Sequence, residues 1–463
     1  MEPRFDDSRP AARRVVIVGG GISGLSVAWF LHRKGFDVRV LEAGDRPGGV
    51  IDTDRADGFL AERGPNSTLQ KPGGDEDALG RLVDQVGLGA RLAEAGEAAK
   101  KRFVMRGGRL RPLPGSPPAF LTTRLFSLRA KIGLLREPFV GRADEEESIA
   151  AFVERRLGRE FLDYAVEPFV TGVYAGDPRA LSVRAAVPRI YALERDYGSL
   201  IRGAVALGKA GKAAGAPSGR LISFDAGMAT LPAGIAAGLP AGVVCIGTRA
   251  TALDPVDGGW EIAWSGPAGD GRLTAARVVL AVPAAAAADL VTPLSAEAAR
   301  LLRAIAYAPI LTLALGYERD QVGHPLDGFG FLVPRREGVR ILGGLFSSTL
   351  FPDRAPAGQV LITAFIGGTA DNEAVALADE DAVALVRADV ERILAIRGAP
   401  SWRRLTRHPQ AIPQYGLGHL DRVARIDELL AGFAGLHLRA AWRDGVSVAD
   451  CIRNGERLAD RLG

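Results

Sequence analysis

Cysteine is nearly absent from this chain: of 463 residues only Cys245 and Cys451 carry a thiol, too few for a disulfide framework or a cysteine metal site. Histidine is sparse too, and His32, His324, His408, His419 and His437 show no close ligand spacing, so the chain reads as metal-free. No run reaches the roughly 18 apolar residues of a membrane span. Any contact with lipid is therefore expected to be peripheral. The charge balance has little excess of either sign, since 58 Lys and Arg against 54 Asp and Glu leave +4. These charges are scattered, which argues against a nucleic-acid partner. The opening MEPRFDDSRPAARR carries acids where a secretory leader wants bases, and the expected compartment is the cytoplasm. What the chain does have is length and apolar residues, 47% of the total. That is enough for two or three domains.

The most informative local pattern is RRVVIVGGGISGLSVAWFL, starting at Arg13. Val15, Val16, Ile17 and Val18 read as a strand covered on both faces, because such strands lose the apolar/polar alternation. Gly19, Gly21 and Gly24 then fit the dinucleotide turn. The first permits a tight bend, the second lets a pyrophosphate approach the backbone, and the third lets the following helix pack on the strand. That helix, beginning with Ile22 and Ser23, aims its positive end at the phosphate. A second strand, DVRVLEA, ends on Glu42 and Ala43, where a carboxylate can accept both hydroxyls of an adenosine ribose. Arg46, Gly48, Gly49 and the stretch AERGPNS follow directly, a continuation typical of flavoproteins rather than NAD dehydrogenases. FAD is therefore the expected dinucleotide. No second G-x-G-x-x-G follows, so electrons are expected to come from the substrate and pass to O2 or a quinone.

Further along, residues 243–283 read as short strands joined by Gly/Asp turns, returning the chain to the first domain. A last return, LHLRAAWRDGVSVADCIRNGERLADRL, runs strand, Gly445 turn and helix. Between them, residues 110–141 alternate Phe and Leu with Arg124, Arg129, Lys131 and Arg136. Arginines beside apolar anchors suit either a surface helix lying on anionic headgroups or an ordinary packed amphipathic helix. The tracts AVPAAAAADL and GKAAGAPSG are compositional, and there are no internal repeats.

Several stretches together carry a resemblance: GPNS at 64–67, KRFVMRGGRLRPLP at 101–114, GVYAGDPRALSVRAAVP at 172–188, SFDAGMATL at 223–231, GFGFLVP at 328–334, LGGLFSSTLFPDRAP at 342–356 and IPQYGLGHLDRV at 412–423. The chain resembles the protoporphyrinogen oxidases, FAD enzymes of haem and chlorophyll synthesis related to amine oxidases and phytoene desaturases. The resemblance implies an α/β fold. A Rossmann-like FAD-binding domain (13–72, 222–300 and 402–463) would join a discontinuous α+β substrate domain (73–102, 186–221 and 301–401) and a mainly helical, membrane-associated domain (103–185). Non-covalent FAD would lie along Gly19, Gly21, Ile22, Ser23, Gly24, Glu42, Ala43, Arg46, Gly48, Gly49, Gly64, Pro65, Asn66, Ser67, Ala250, His408, Val446, Ser447 and Val448.

The resemblance also implies that Arg102 pairs with a substrate propionate, that Leu332, Leu345 and Phe365 contact the macrocycle, and that Gly172 brings backbone close to a pyrrole edge. No side chain need act as acid or base, since flavin does the chemistry. Ala440, Arg443 and His408 depart from the family pattern at expected flavin contacts. Expected partners are a porphyrinogen and O2; an anionic membrane surface on the cytoplasmic face, the next enzyme of the haem pathway and a second copy in a homodimer are further candidates. A coproporphyrinogen III oxidase, an amine oxidase or desaturase, and a porphyrin-binding paralogue without turnover are the competing readings.

Overall fold

The computed structural model describes residues 3–5, 10–71, 73, 76–209 and 219–463, so all but the last residue of the GKAAGAPSG tract lies outside the described residues. A parallel sheet takes its strands from separated stretches of chain, in the order Val244–Ile246, Asp37–Glu42, Arg14–Val18, Arg277–Leu280, Leu436–Leu438. Alternate side chains of the first strand serve two cores. Val15 and Ile17 pack under the helices Ile22–Arg33 and Val448–Leu462, while Val16 and Val18 face Trp260, Ile262 and Trp264. Those tryptophans belong to an antiparallel meander, Arg249–Val256, Gly259–Gly266 and Gly269–Ala275. The two helices approach closely because Gly455 faces Ser26, where an added Cβ would sit 2.4 Å from the hydroxyl.

A second sheet has seven strands, ordered Trp402–Pro413, Tyr307–Glu318, Gln359–Gly367, Ile341–Leu345, Gly330–Leu332, Phe103–Arg106 and Arg109–Pro112. Helix Asp379–Leu394 covers one face through Val383, Val386, Val390 and Leu394. Two of its edges differ from the expected division of the chain. Residues 103–112, expected within the helical segment, form a hairpin whose turn is Gly107–Gly108, both at positive φ. Phe103 and Val104 then pair with Phe331 and Leu332. Residues 402–413, expected on the FAD side, pair antiparallel with Tyr307–Glu318. Their arginines are tolerated because this is an edge strand with one side in water.

The remaining chain from 117 to 209 is helical, and residues 110–141 are not one amphipathic helix. They contain two six-residue helices, Pro117–Thr122 and Leu128–Gly133, each started by a serine cap, and a 3-10 turn, Leu134–Phe139. Pro117 and Pro118 open the first helix, where proline is tolerated, Pro138 lies within the 3-10 turn, and the break between the two helices falls at residues 123–127. Leu125 and Phe126 turn inward, with Phe126 stacked 4.5 Å from Phe161. Leu121, Leu128, Ile132, Leu135 and Phe139 stay exposed. Helices Pro188–Tyr197 and Leu200–Lys209, expected in the substrate domain, join this helical layer through Ile190, Tyr191 and Leu200. Among the described residues no helix is long and apolar enough to cross a membrane.

Candidate functional site

The glycine turn is closed where packing requires it and open where a ligand would need it. A Cβ on Gly19 would lie 2.6 Å from the Ala281 carbonyl, and one on Gly24 1.9 Å from the Gly19 carbonyl. A Cβ on Gly21 would meet nothing within 4 Å. Gly49 faces only the Gly21 Cα, and the Gly48 amide donates to the Gly20 carbonyl at 2.8 Å, so paired glycines form the second wall. Gly21 begins the helix without a side-chain cap, and Ile22, Ser23 and Gly24 form its first turn. A narrow, backbone-lined cradle at a helix start suits a pyrophosphate, so these residues fit FAD.

Glu42 is held at the end of its strand by amides: Gly20 donates to one carboxylate oxygen and Gly44 to the other, both at 2.6 Å. The Thr248 amide donates to the Glu42 carbonyl at 2.8 Å, which brings the strand bearing Ala250 beside Ala43. Arg46 turns back on its own loop, donating to the carbonyls of Gly49 and Ile51 at 2.8 Å each. Its guanidinium thereby fixes the Gly48–Gly49 bend. Gly64 is required by crowding, since a Cβ would come within 1.9 Å of the Val50 carbonyl. Pro65, Asn66 and Ser67 follow it, half-buried beside fully buried neighbours. His408 reaches over from the second sheet to hydrogen-bond the Arg63 carbonyl. Since a carbonyl only accepts, the ring proton lies on Nε2.

On the C-terminal side, Gly445 at φ +118 turns the chain into Val446, and Ser447 caps the last helix by accepting from the Asp450 amide at 3.0 Å. Val448 is buried in the first turn. Arg443 is engaged by Asp427 through two contacts of 2.5 and 2.6 Å. Burial lifts the adjacent Asp444 carboxyl to about 6 against the pull of Arg443. Cys451 lies inside this helix, and burial pushes its thiol up to about 11. That thiol is a poor nucleophile.

The substrate-side residues come together through strand register. Leu332 pairs with Val104 and Gly343, Gly343 with Phe365, and Gly330 with Leu345. Paired residues share a face and alternate residues return to it, so Arg102, Leu332, Leu345 and Phe365 all belong to the face away from helix Asp379–Leu394. Leu332, Leu345 and Phe365 are half-buried while Phe331, Val333, Phe346, Ala364 and Ile366 are buried. Gly172, in helix Glu167–Tyr174, leans on Leu332, where a Cβ would come within 2.8 Å of Cδ2. Arg102 lies over the Phe329 ring at 5.1 Å, and partial desolvation lowers its pKa. Arg106, Arg335 and Arg336 pair with Glu160, Asp177 and Asp163. Arg102 has no carboxylate partner among the described residues.

A buried pair that the sequence did not reveal joins the two sides. Glu62 and Arg354 are 3.2 Å apart and each 3% exposed at the side chain. Thr53 and the Met228 amide donate to Glu62, and Arg354 donates to Ser223 at 2.6 Å. Burial lifts the Glu62 carboxyl to about 7, although Arg354 and the two donors oppose it. The only sequence signal was that Glu62, Ser223, Met228 and Arg354 all fall in or beside the stretches that carry the resemblance.

A glycine cradle that fits a dinucleotide, in a chain whose second sheet carries partly buried apolar residues on one face, is the arrangement of a flavin-dependent oxidoreductase. The flavin containing amine oxidoreductase family model matches residues 22–463. A chloroplastic protoporphyrinogen oxidase of Oryza sativa subsp. japonica is 36% identical over 96% of this chain and 87% of its own length. A coproporphyrinogen III oxidase of Bacillus subtilis (strain 168) is 29% identical over 96% of each chain. A crystal structure from Exiguobacterium sp. 255-15 superimposes with a TM-score of 0.81 at 26% identity, over 97% of this chain and 98% of that one. The chain belongs to the flavin-containing amine oxidoreductase family, and FAD is its cofactor.

Proposed function

We propose that this enzyme oxidises protoporphyrinogen IX to protoporphyrin IX in haem biosynthesis, in three two-electron steps that reduce three O2 to three H2O2. The observation that carries the reading is the sheet face that gathers the half-buried Leu332, Leu345 and Phe365 with Arg102 at its edge. A large apolar macrocycle with carboxylates on one rim suits such a face, because apolar contact supplies affinity and one guanidinium supplies orientation.

FAD, held by the Gly21 cradle, Glu42 and the Val446–Val448 turn, supplies a two-electron acceptor. The chain's own residues do the positioning. Arg102 holds a propionate, Phe365 and Leu345 set the plane of the ring, and Gly172 admits a pyrrole edge where any side chain would strike Leu332. The apolar face excludes water from the reacting carbon, and protons from the pyrrole nitrogens leave to solvent. The test is an anaerobic-to-aerobic assay on both porphyrinogens, following porphyrin fluorescence and peroxide. Three peroxides per protoporphyrin are expected; faster turnover of coproporphyrinogen would favour that second reading, which the relative from Bacillus subtilis motivates.

The reading includes peripheral attachment to the cytoplasmic face of an anionic membrane through 110–141. Its support is the exposure of Leu121, Leu128, Leu135 and Phe139 at 71–83%, interleaved with Arg124, Arg129 and Arg136. The next haem-pathway enzyme or a second copy of the chain would compete with lipid for this surface. Co-sedimentation with anionic vesicles, lost when the three arginines are replaced, is the expected result.

A further inference from the structure

The stretches IPQYGLGHLDRV and GVYAGDPRALSVRAAVP meet beside the C-terminal cofactor turn, and the chemistry described so far uses neither Gln414 nor Tyr415. Tyr415 is 4% exposed. Its hydroxyl donates to the Ala441 carbonyl and accepts from the Gly445 amide at 2.9 Å, bridging both ends of the short helix Ala441–Asp444. Val446 packs on the same apolar cluster as Tyr415. On the other side, Gln414 donates to the Tyr174 carbonyl at 2.8 Å, at the end of the helix that carries Gly172, and the Ser182 amide donates to the Tyr415 carbonyl at 2.8 Å. One dipeptide therefore touches the cofactor turn with one side chain and the substrate-side helix with the other.

We infer that Tyr415 is a positioning residue: its hydroxyl fixes the Ala441–Gly445 turn, and with Gln414 it registers that turn against the helix bearing Gly172. The ring is itself braced, lying 4.4 Å from His419 at an interplanar angle of 15°, with His419 only 1% exposed. Burial holds the phenol above its ordinary pKa, so it remains a donor across the working range. Trp442 pins the same short helix to the turn that follows strand Arg277–Leu280 by donating to the Val282 carbonyl at 3.1 Å. The turn is thus fixed from both sides, and only the Tyr415 side answers to the substrate-side helix. The cofactor part of this inference rests on FAD binding alone; the substrate part rests on the porphyrinogen reading.

The experiment compares Tyr415→Phe with the parent. Titration of the apoproteins with FAD should show Kd raised about 5- to 150-fold, the range for two lost hydrogen bonds. The visible circular dichroism of bound flavin should change, and kcat should fall more than KM rises. An FAD affinity and flavin dichroism within about twofold of the parent, even with a lower Tm, would overturn the inference and leave Tyr415 a packing residue. Because titration and dichroism need no substrate, a wrong porphyrinogen assignment would not affect them. If the variant fails to fold, hydrogen exchange on the parent apoprotein decides. A Gly445 amide protected like the helix amides of 448–462 is expected, and exchange as fast as an open loop would overturn the clamp.

Discussion

In the parallel sheet, Val15, Val16 and Ile17 are fully buried in apolar clusters, whereas the helical layer buries Glu137, Arg156 and Glu194 against one another. Arg156 lies 2.7 Å from Glu137 and 2.5 Å from Glu194. Glu137 also accepts from Ser199 and from the amides of Leu200 and Ile201, so it caps the start of helix Leu200–Lys209. Burial opposes its ionisation, yet these donors hold its pKa below the ordinary value. Apolar burial is non-directional and accepts substitutions that conserve volume. A buried ionic cluster is directional and fails when one member is removed. The difference suits the two regions: a rigid platform for a dinucleotide, and a layer of short helices that must hold its shape while leaving Leu121, Leu128, Leu135 and Phe139 exposed.

The sharpest way to break the comparison is Gly24→Ala. Its Cβ would overlap backbone that cannot move without opening the sheet, so complete loss of FAD binding is expected, read as absent flavin absorbance after reconstitution. Arg156→Ala should instead cost about 3–5 kcal/mol, the range for leaving buried carboxylates unpaired. Denaturant unfolding should show that loss, and bound flavin in the remaining folded protein should keep its parental spectrum. A spectrum lost in parallel with stability would mean that the two regions are one cooperative unit.

Arg102→Ala should raise KM for the porphyrinogen at least tenfold with a smaller fall in kcat, on about 1.5–3 kcal/mol for a charged hydrogen bond. An unchanged KM would contradict the propionate pairing.

The smallest expected effect is acid sensitivity at the joint between the regions. Burial, with Arg422 beside it, lowers His419 to about 4 in the folded protein, against about 6.5 when unfolded. Between those values the unfolded chain takes up a proton that the folded chain refuses. Stability from this group is therefore full above about pH 6.5 and is lost as pH falls toward 4. Glu62 and Asp444, both raised by burial, act in the opposite sense, so total stability does not isolate the effect. His419→Gln should flatten the stability-versus-pH slope between 4 and 6.5 by about 1–3 kcal/mol in total. Equal slopes in parent and variant would rule it out.

The cofactor turn was legible because its information is local. Gly19, Gly21, Gly24 and Glu42 lie within one strand–helix–strand unit, where spacing alone dictates geometry. Arg102, Leu332, Leu345 and Phe365 were reached only through resemblance, since nothing in GFGFLVP or ITAFIGG says which side chains will share a face. The edge strand Trp402–Pro413 was missed because its arginines obscure the alternation. Glu62 and Arg354 stand nearly three hundred positions apart in the chain, and no periodicity can couple residues so distant.

By itself, then, the sequence determined the elements whose causes are short-range: the glycine bend and the strand that ends on Glu42. The tertiary structure alone decided which residues meet: the register that gathers the apolar face, the pairing that buries Glu62 with Arg354, and the placement of Tyr415 between cofactor turn and substrate-side helix. The physical reason is that backbone sterics and helix periodicity act over a few residues. Strand register and buried hydrogen bonds depend on the final partner, and that partner exists only once the chain has folded.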